Sequence, residues 1–250
     1  MKTVDKAFRL LDQFQPDRTE IGLSELARLA GLDKAATRRL LVALGAHGFI
    51  EQNGESRKYR LGPGFLRLAH LREATVPMAA SAQEVCDWLN EVTGDSVHVS
   101  IPGPQSMLTL AFRMPGRGHV ININPAEALP YHATSAGHVF LAFASAETRA
   151  RVLGLARPRF ARGTVTDAAA LTARIEAARE AGHALNRDTF EDEVSSVAMA
   201  FFARAGEPAG TLSVALPSVN LTEGRLAELL PLLAEGVSRL ERAITGTSAG

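Results

Sequence analysis

Two adjacent arginines beside small residues are the first groups in this chain with evident chemistry: Arg38 and Arg39, preceded by Lys34, Ala35 and Ala36. A guanidinium presents a planar fork of donors that fits a guanine edge or a phosphate, and short alanines let a helix backbone approach base edges. A second cationic group follows in FIEQNGESRKYRL, Phe49 to Leu61, where Arg57, Lys58 and Arg60 crowd one short stretch around Tyr59. Cations set along a strand can lie against a phosphate backbone. Two arginines on an arbitrary helix are more often a solvated face. The basic stretch that follows reverses that reading.

These groups need elements to aim them. Leu23 to Gly48, LSELARLAGLDKAATRRLLVALGAHG, reads as two short helices joined through Gly31, a residue type that turns left-handed at a helix end. Ser24 is expected to cap the first helix, which buries Leu26, Leu29 and Ala30, and Asp33 to cap the second. Thr37, Leu40, Leu41 and Leu44 fall at i, i+3, i+4 and i+7 and face the core, leaving Lys34, Ala35, Ala36, Arg38 and Arg39 outward. Asn53-Gly54 predicts a tight hairpin turn between two strands, a wing. Val4, Ala7, Phe8 and Leu11 predict a third helix that roofs the other two. Together these make a winged helix-turn-helix module over residues 1–64.

The 250 residues suffice for two domains. The net charge of zero hides an asymmetry, because residues 1–70 hold 12 basic against 8 acidic side chains and the remainder is acidic by the same margin. A basic small domain joined to a mildly acidic larger one fits a DNA reader coupled to something that does not touch DNA. Cys86 is the only cysteine, so an intrachain disulfide and a structural cysteine zinc site are both excluded. Its place on the apolar side of a helical pattern predicts a buried, inert thiol. No two histidines sit three or four residues apart on one helix face, so no metal site is expected. The absence of a membrane-length apolar run and of a signal-like N-terminus predicts a cytoplasmic protein with no membrane partner.

After Gly62-Pro63-Gly64, the residues Phe65, Leu66, Leu68, Ala69 and Leu71 predict a linker helix over 65–77, broken near Pro77. Met78, Ala82, Val85, Cys86, Leu89 and Val92 continue as a second helical pattern. So many apolar residues predict packing on the next domain or a partner subunit, and dimerisation is expected here. From Gly94 the period changes to two, with Val97, Val99 and Ile101 alternating with Ser96, His98 and Ser100. Met107 to Arg113 and His119 to Asn124 read as further strands, Ala136 to Phe143 and Glu147 to Leu155 as helices. Thr166 and Asp167 are expected to cap a helix running to Ala181 with Leu171, Ile175 and Ala178 inside. Strands at Ser196 to Ala203 and Gly210 to Leu216 precede a last helix, Leu221 to Ile244, which Pro231 should bend. This order predicts an α+β chain whose second domain has an antiparallel sheet flanked by helices.

As a whole the chain resembles the IclR family of bacterial transcriptional regulators. The residues that carry the likeness are LSELARLAGLDKAATRRLLVALGAHGFIE with YRLGPGFLRLA, and then LPYHATSAGHVFLAF, AREAGHALNRDTFEDEVSSVAMAFF and PAGTLSVALP. The resemblance implies an N-terminal winged helix-turn-helix, a linker helix and, over 78–250, a GAF-like mixed α/β effector-binding domain. It further implies operator DNA as partner, homodimers or dimers of dimers, and a small organic acid that modulates DNA binding, with no cofactor. Carried over by motif, the effector-facing positions fall on Ser135 and Ala136 before a helix, on Asn186 in the loop after Gly182 with Arg187 beside it, on Ser196, and on Ser213 and Ala215 in the last strand. Unpaired amides at a helix start attract a carboxylate, which fits the first two. Alanine at 215, where some members have a second serine, disfavours a short polar oxoacid and favours a larger acid with an apolar body, such as an aromatic one.

Each of those positions also has an ordinary structural reading: a serine in a sheet can bond a neighbouring strand, and His98, His132, His138 and His183 can be packing residues. The leading expectation is therefore a non-enzymatic, sequence-specific regulator, a repressor or activator. The alternative is a small-acid hydrolase or isomerase carrying a DNA-binding module, for which Ser196 and His138 are the pair that would have to meet. A constitutive architectural DNA binder is the third class.

Overall fold

The computed structural model describes residues 2–75, 78–116, 121, 123–203 and 206–246. The chain divides into two compact units, Met1–Pro77 and Met78–Gly250.

The first unit is built on helices α1 (Thr3–Leu11), α2 (Leu23–Ala30) and α3 (Lys34–Ala46) around a small core of Leu10, Ile21, Leu26, Ala30, Leu41 and Ile50. Gly31 sits at φ 61° and ends α2 in the left-handed turn that its lack of a Cβ permits. Asp33 caps α3, its carboxylate accepting the Ala36 amide at 2.7 Å. Ser24 does not cap α2: that helix begins one residue earlier, Gly22 is its N-cap without a side-chain bond, and Ser24 lies exposed in the first turn. The roof helix is also rotated from the expected stripe. Leu10 is fully buried, with Leu11 and Phe14 packed on the same core, whereas Val4 and Phe8 are 63% and 61% exposed.

The wing pairs β1 (Ile50–Gln52) antiparallel with β2 (Tyr59–Leu61), and Ile21 bridges to Tyr59 as a third line of backbone pairing. Its connection is not a tight Asn53-Gly54 turn. Residues 53–58 form a wider loop because the Asn53 side chain accepts the amides of Glu55 and Ser56, at 2.9 and 3.2 Å, and the positive φ falls on Arg57. Helix α4 (Gly64–Thr75) follows inside the same unit and buries no residue, leaving Leu66, Leu68 and Leu71 exposed. The expected break near Pro77 lies outside the described residues.

The second unit has a six-stranded antiparallel sheet in the order β5-β4-β3-β8-β7-β6, made of β3 (Ser96–Pro102), β4 (Ser106–Arg113), β5 (Leu129–Pro130), β6 (Ala184–Arg187), β7 (Val194–Phe201) and β8 (Gly210–Pro217). Strand alternation gives the sheet two faces. Val97, Val99, Val197, Leu212 and Val214 point to one, covered by α5 (Ala79–Thr93) and α9 (Glu223–Gly246). The apolar side of α5, with Ala82, Val85, Cys86 and Leu89, is thus consumed inside its own unit, which is the packing on the next domain that was one of the two expected of it rather than packing on a partner subunit. Helix α9 runs through Pro231 without interruption.

The other face takes α6 (Ser135–Phe143), behind which lies α8 (Ala168–Ala181), started by an Asp167 side-chain bond to the Ala170 amide; α7 (Ala146–Leu153) stands between them in sequence. The Thr166 side chain takes no part in that cap; its carbonyl accepts Arg157. Two strand expectations change. The stretch after Gly182, expected as a loop, is edge strand β6, paired so that Asn186 stands opposite Ser196. Of the strand expected over His119 to Asn124, three residues lie outside the described set, and Ile121, Ile123 and Asn124 are not in a strand.

Candidate functional site

In the first unit, α3 presents Ala35, Arg38, Arg39 and Val42 on its outer side, at i, i+3, i+4 and i+7, opposite the buried Thr37 and Leu41. Lys34, Arg38 and Arg39 are exposed and Ala36 is half-buried. Lys34 and Arg38 have no side-chain partner among the described residues. Arg39 faces Asp33, whose carboxyl is held below the usual range first by its bond from the Ala36 amide and then by Arg39. Val42 is 67% exposed in the middle of this cationic face. Sequence reasoning passed over it, although an apolar side chain on the polar side of an amphipathic helix was visible; such a group suits a thymine methyl.

The three wing cations are not equivalent. Arg57 and Lys58 are exposed with no side-chain partner among the described residues. Arg60 is tied back, its Nε donating to Glu51 at 2.5 Å and its Nη1 lying 3.8 Å from Glu20. Arg57 and Lys58 therefore supply the free charge of the wing, and Arg60 holds its two strands together.

In the second unit a cavity opens where the start of α6 meets the sheet. Its enclosed space is about 80 Å³, measured for the centres of water-sized spheres, and about 680 Å³ when the open solvent at its mouth is included. Ala133 to Ala136 form one wall; Ser196, Ala215, His98, Val194 at the start of β7 and Leu129 of β5 come from the sheet; Thr189, Phe190 and Glu191 come from the segment between β6 and β7; Ile121, Ile123, Asn124 and Glu127 come from the stretch leading into β5. Four of the six expected positions, Ser135, Ala136, Ser196 and Ala215, thus share one lining.

Asn186 and Ser213 do not line it. With its amide oriented to satisfy its neighbours, Asn186 accepts the Ser135 N–H at 3.0 Å and donates to His138 Nδ1 at 3.0 Å and to the Leu185 carbonyl at 2.9 Å. It stands behind the helix start and fixes it. Ser213 lies one side-chain row further along β8, opposite His98 on β3 and Ala198 on β7. Arg187 is turned away, donating through Nη1 to the Ser218 carbonyl at 3.3 Å and through Nη2 to the Leu221 carbonyl at 2.5 Å.

The first turn of α6 is therefore largely occupied. Thr134 Oγ1 accepts the Gly137 amide at 3.1 Å, the Thr134 carbonyl accepts that of His138 at 3.0 Å, and Asn186 takes that of Ser135. Ala136 N–H is left with no acceptor among the described residues, on the cavity wall and at the positive end of the helix. Beside it Ser135 Oγ donates to Ser196 Oγ at 2.7 Å, which leaves the Ser196 hydroxyl proton for another acceptor. This pair of donors matches the two oxygens of a carboxylate. The lining has no lysine or arginine among the described residues but has two carboxylates. Burial, and then Glu191 nearby, push the Glu127 carboxyl up.

The histidines divide. His138 donates from Nε2 to the His132 carbonyl at 2.9 Å and accepts from Asn186 at Nδ1, and burial lowers it to about 4, so it is a neutral strut. His132 bonds the Pro158 carbonyl at 2.9 Å, and His183, half-buried, bonds the Ala181 carbonyl. The His98 ring bonds nothing among the described residues. No serine hydroxyl bonds a histidine ring among the described residues, because Ser196 is engaged with Ser135 and His138 with Asn186. The described residues also hold no group of three potential metal ligands, and none of their helices is long and apolar enough to cross a membrane.

Comparison with known proteins places this geometry. Residues 3–54 match the IclR helix-turn-helix domain and residues 73–242 match the bacterial transcriptional regulator IclR C-terminal family. The chain is 28% identical over 249 residues to the HTH-type transcriptional regulator XynR of Escherichia coli, covering 98% of this chain and 97% of that protein. It is 26% identical over 247 residues to the glycerol operon regulatory protein of Streptomyces coelicolor, covering 98% and 95%. Among solved structures, an IclR transcriptional regulator from Silicibacter superposes with a TM-score of 0.90 at 36% identity, covering 98% of this chain and 96% of that one. An IclR homologue from Microbacterium hydrocarbonoxydans, complexed with 4-hydroxybenzoate, shares the fold with a TM-score of 0.80 at 24% identity, covering 98% and 100%. With a matching helix-turn-helix module in front and a matching C-terminal domain behind, the chain belongs to the IclR family and is a DNA-binding transcriptional regulator.

Proposed function

We propose that α3 and the wing loop bind operator DNA, and that a monocarboxylic acid seated in the second unit changes that binding. Ala35, Ala36, Arg38 and Arg39 are assigned to base edges, and Lys34, Arg57 and Lys58 to phosphates, with Arg60 in a supporting role. The observation that carries the effector half is the open Ala136 amide beside the Ser135–Ser196 hydroxyl pair at the helix start. Glu127 and Glu191 disfavour a second negative charge, so the ligand is a mono-acid, and the apolar lining suits an aromatic or branched body. The Microbacterium homologue's 4-hydroxybenzoate is of that class. Asn186 acts by holding the helix start, and the protein is not an enzyme.

A homodimer, or a dimer of dimers, completes the reading. Leu66, Leu68 and Leu71 on α4, with Val4 and Phe8 on α1, give the first unit apolar surface that a second copy would cover. The acid acts as a population shift: it binds two arrangements of the assembly with different affinity and so alters the spacing of paired α3 helices, which must match half-sites about one helical turn apart. The test is a thermal-shift screen of aliphatic and aromatic monocarboxylates on the full chain, followed by release of bound promoter DNA by each hit. A hit that stabilises the protein and alters DNA affinity is expected. Turnover of the hit would transfer the reading to the hydrolase or isomerase class, and a full panel with no hit would leave a constitutive DNA binder.

A further inference from the structure

Among the described residues, His98 is the one buried polar side chain on the cavity lining whose hydrogen-bonding groups are unused. It is 9% exposed, and neither ring nitrogen has a partner among the described residues. Its cross-strand neighbour Ser213 is fully buried, and that hydroxyl has no partner either. Buried polar groups in native proteins are nearly always bonded, so an unbonded ring beside an unbonded hydroxyl, at the edge of a cavity, marks a place where something polar belongs.

The strand register fixes where this place is. Ser96, Ala215 and Ser196 form one row across β3, β8 and β7, and His98, Ser213 and Ala198 form the next row on the same face. Two strand spacings and two residues of rise separate the Cα atoms of Ser196 and His98 by about 12 Å. Both residues line the cavity, so a ligand that reaches from one to the other spans about one ring with a small substituent once a hydrogen bond at each end is allowed for. The carboxylate is held at the Ser196 and Ala136 end. His98 stands at the far end of the ligand body.

We infer that His98 is the specificity-determining residue of the cavity, and that the effector is an acid carrying an uncharged hydrogen-bonding group, a hydroxyl above all, opposite its carboxylate. This rests on the acid-effector reading given above. A neutral imidazole with a free nitrogen accepts a hydroxyl proton or donates to its oxygen, whichever tautomer the partner selects. Burial lowers the ring to about 4, which keeps it uncharged and unsuited to a second carboxylate. An ordered water at the same place would satisfy the ring equally well but would give a hydroxylated ligand no advantage.

The experiment is calorimetric titration of the full chain with matched probes: benzoate, 4-methylbenzoate and 4-hydroxybenzoate, and 3-phenylpropionate with its 4-hydroxy counterpart to vary length. In at least one series the hydroxylated acid is expected to bind tenfold or more tighter than its methylated or bare partner. His98→Phe, which keeps a flat ring and removes both nitrogens, should erase that ratio, and His98→Gln should keep part of it. Acids that bind with no hydroxyl preference, or a preference that survives in His98→Phe, would overturn the inference and leave the acid-effector reading standing. Failure of these probes and of the wider monocarboxylate panel to bind at all would overturn both. The comparison of ligands on the unmodified protein does not depend on how well any variant folds.

Discussion

Lowering the pH from 7 to 5 should weaken the second unit through three histidines, His98 and His138 above all, with His132 lowered in the same direction by burial. His98 and His138 are buried, and in the folded protein both are lowered to about 4 by desolvation, whereas unfolded rings titrate near 6.5. As pH falls through 6.5 the unfolded chain takes up protons that the folded chain refuses. Stability is therefore full above 6.5, declines toward 4, and is flat below both values. At pH 5 the deficit is about 2 kcal/mol per ring relative to pH 7. Glu127, whose carboxyl is raised, works in the opposite direction, while Asp188, Glu207 and Glu235, all held low, lose stability chiefly below this window. The assay is urea unfolding followed by the fluorescence of Trp88, the chain's single tryptophan, which lies on α5 with the Arg239 guanidinium 3.8 Å over its ring. In His98→Gln the difference between pH 7 and pH 5 should shrink by about 2 kcal/mol, whatever the substitution does to stability at pH 7. An equal pH difference in both proteins would refute the claim that His98 is held neutral by burial.

Three further outcomes follow from the same geometry. Arg38→Ala should cost about 1–3 kcal/mol of operator affinity in gel-shift titrations and relax preference at one base pair, whereas Lys58→Ala should weaken all sequences alike and flatten the salt slope by about one unit; operator binding by Arg38→Ala that matches the unmodified protein at moderate salt removes Arg38 from the groove. Gly137→Ala places a Cβ against the Tyr131 backbone, so it should cost about 1–3 kcal/mol in thermal unfolding and abolish acid binding by displacing the start of α6; unchanged stability would mean that this contact relaxes freely. The Cys86 thiol, buried and pushed up to about 12 chiefly by desolvation, should resist thiol reagents at neutral pH until the unit unfolds; prompt labelling of the folded protein would contradict its burial.

Periodicity and capping chemistry made α3 and β3 legible, because Thr37 and Leu41, or Val97 and Val99, are buried for the same reason that they recur at those intervals. The errors came where local rules met tertiary choice. Val4 and Phe8 look as apolar as Leu10, and only the position of α2 decides which side of α1 faces inward. Asn53-Gly54 satisfies the hairpin rule, yet the Asn53 side chain bonds two amides ahead and widens the loop. Four residues from Ala184 to Arg187 are too short to announce a strand until β7 is there to pair with them. In the cavity, motif transfer found the helix start but could not tell that Asn186 faces the Ser135 amide from behind. His98 was visible only as one histidine in an alternating strand; that its nitrogens are idle is a property of its surroundings.

The crowding at the head of α6 also bears on which metabolites this regulator can ignore. With one vacant amide and one hydroxyl proton on offer, and two glutamates rather than a cation at hand, a dianionic phosphoryl group would leave oxygens unsatisfied and charge unneutralised. If the proposed acid is the effector, its phosphorylated relatives should therefore fail to compete with it, and the gene switch would report free acids while their activated esters pass unseen.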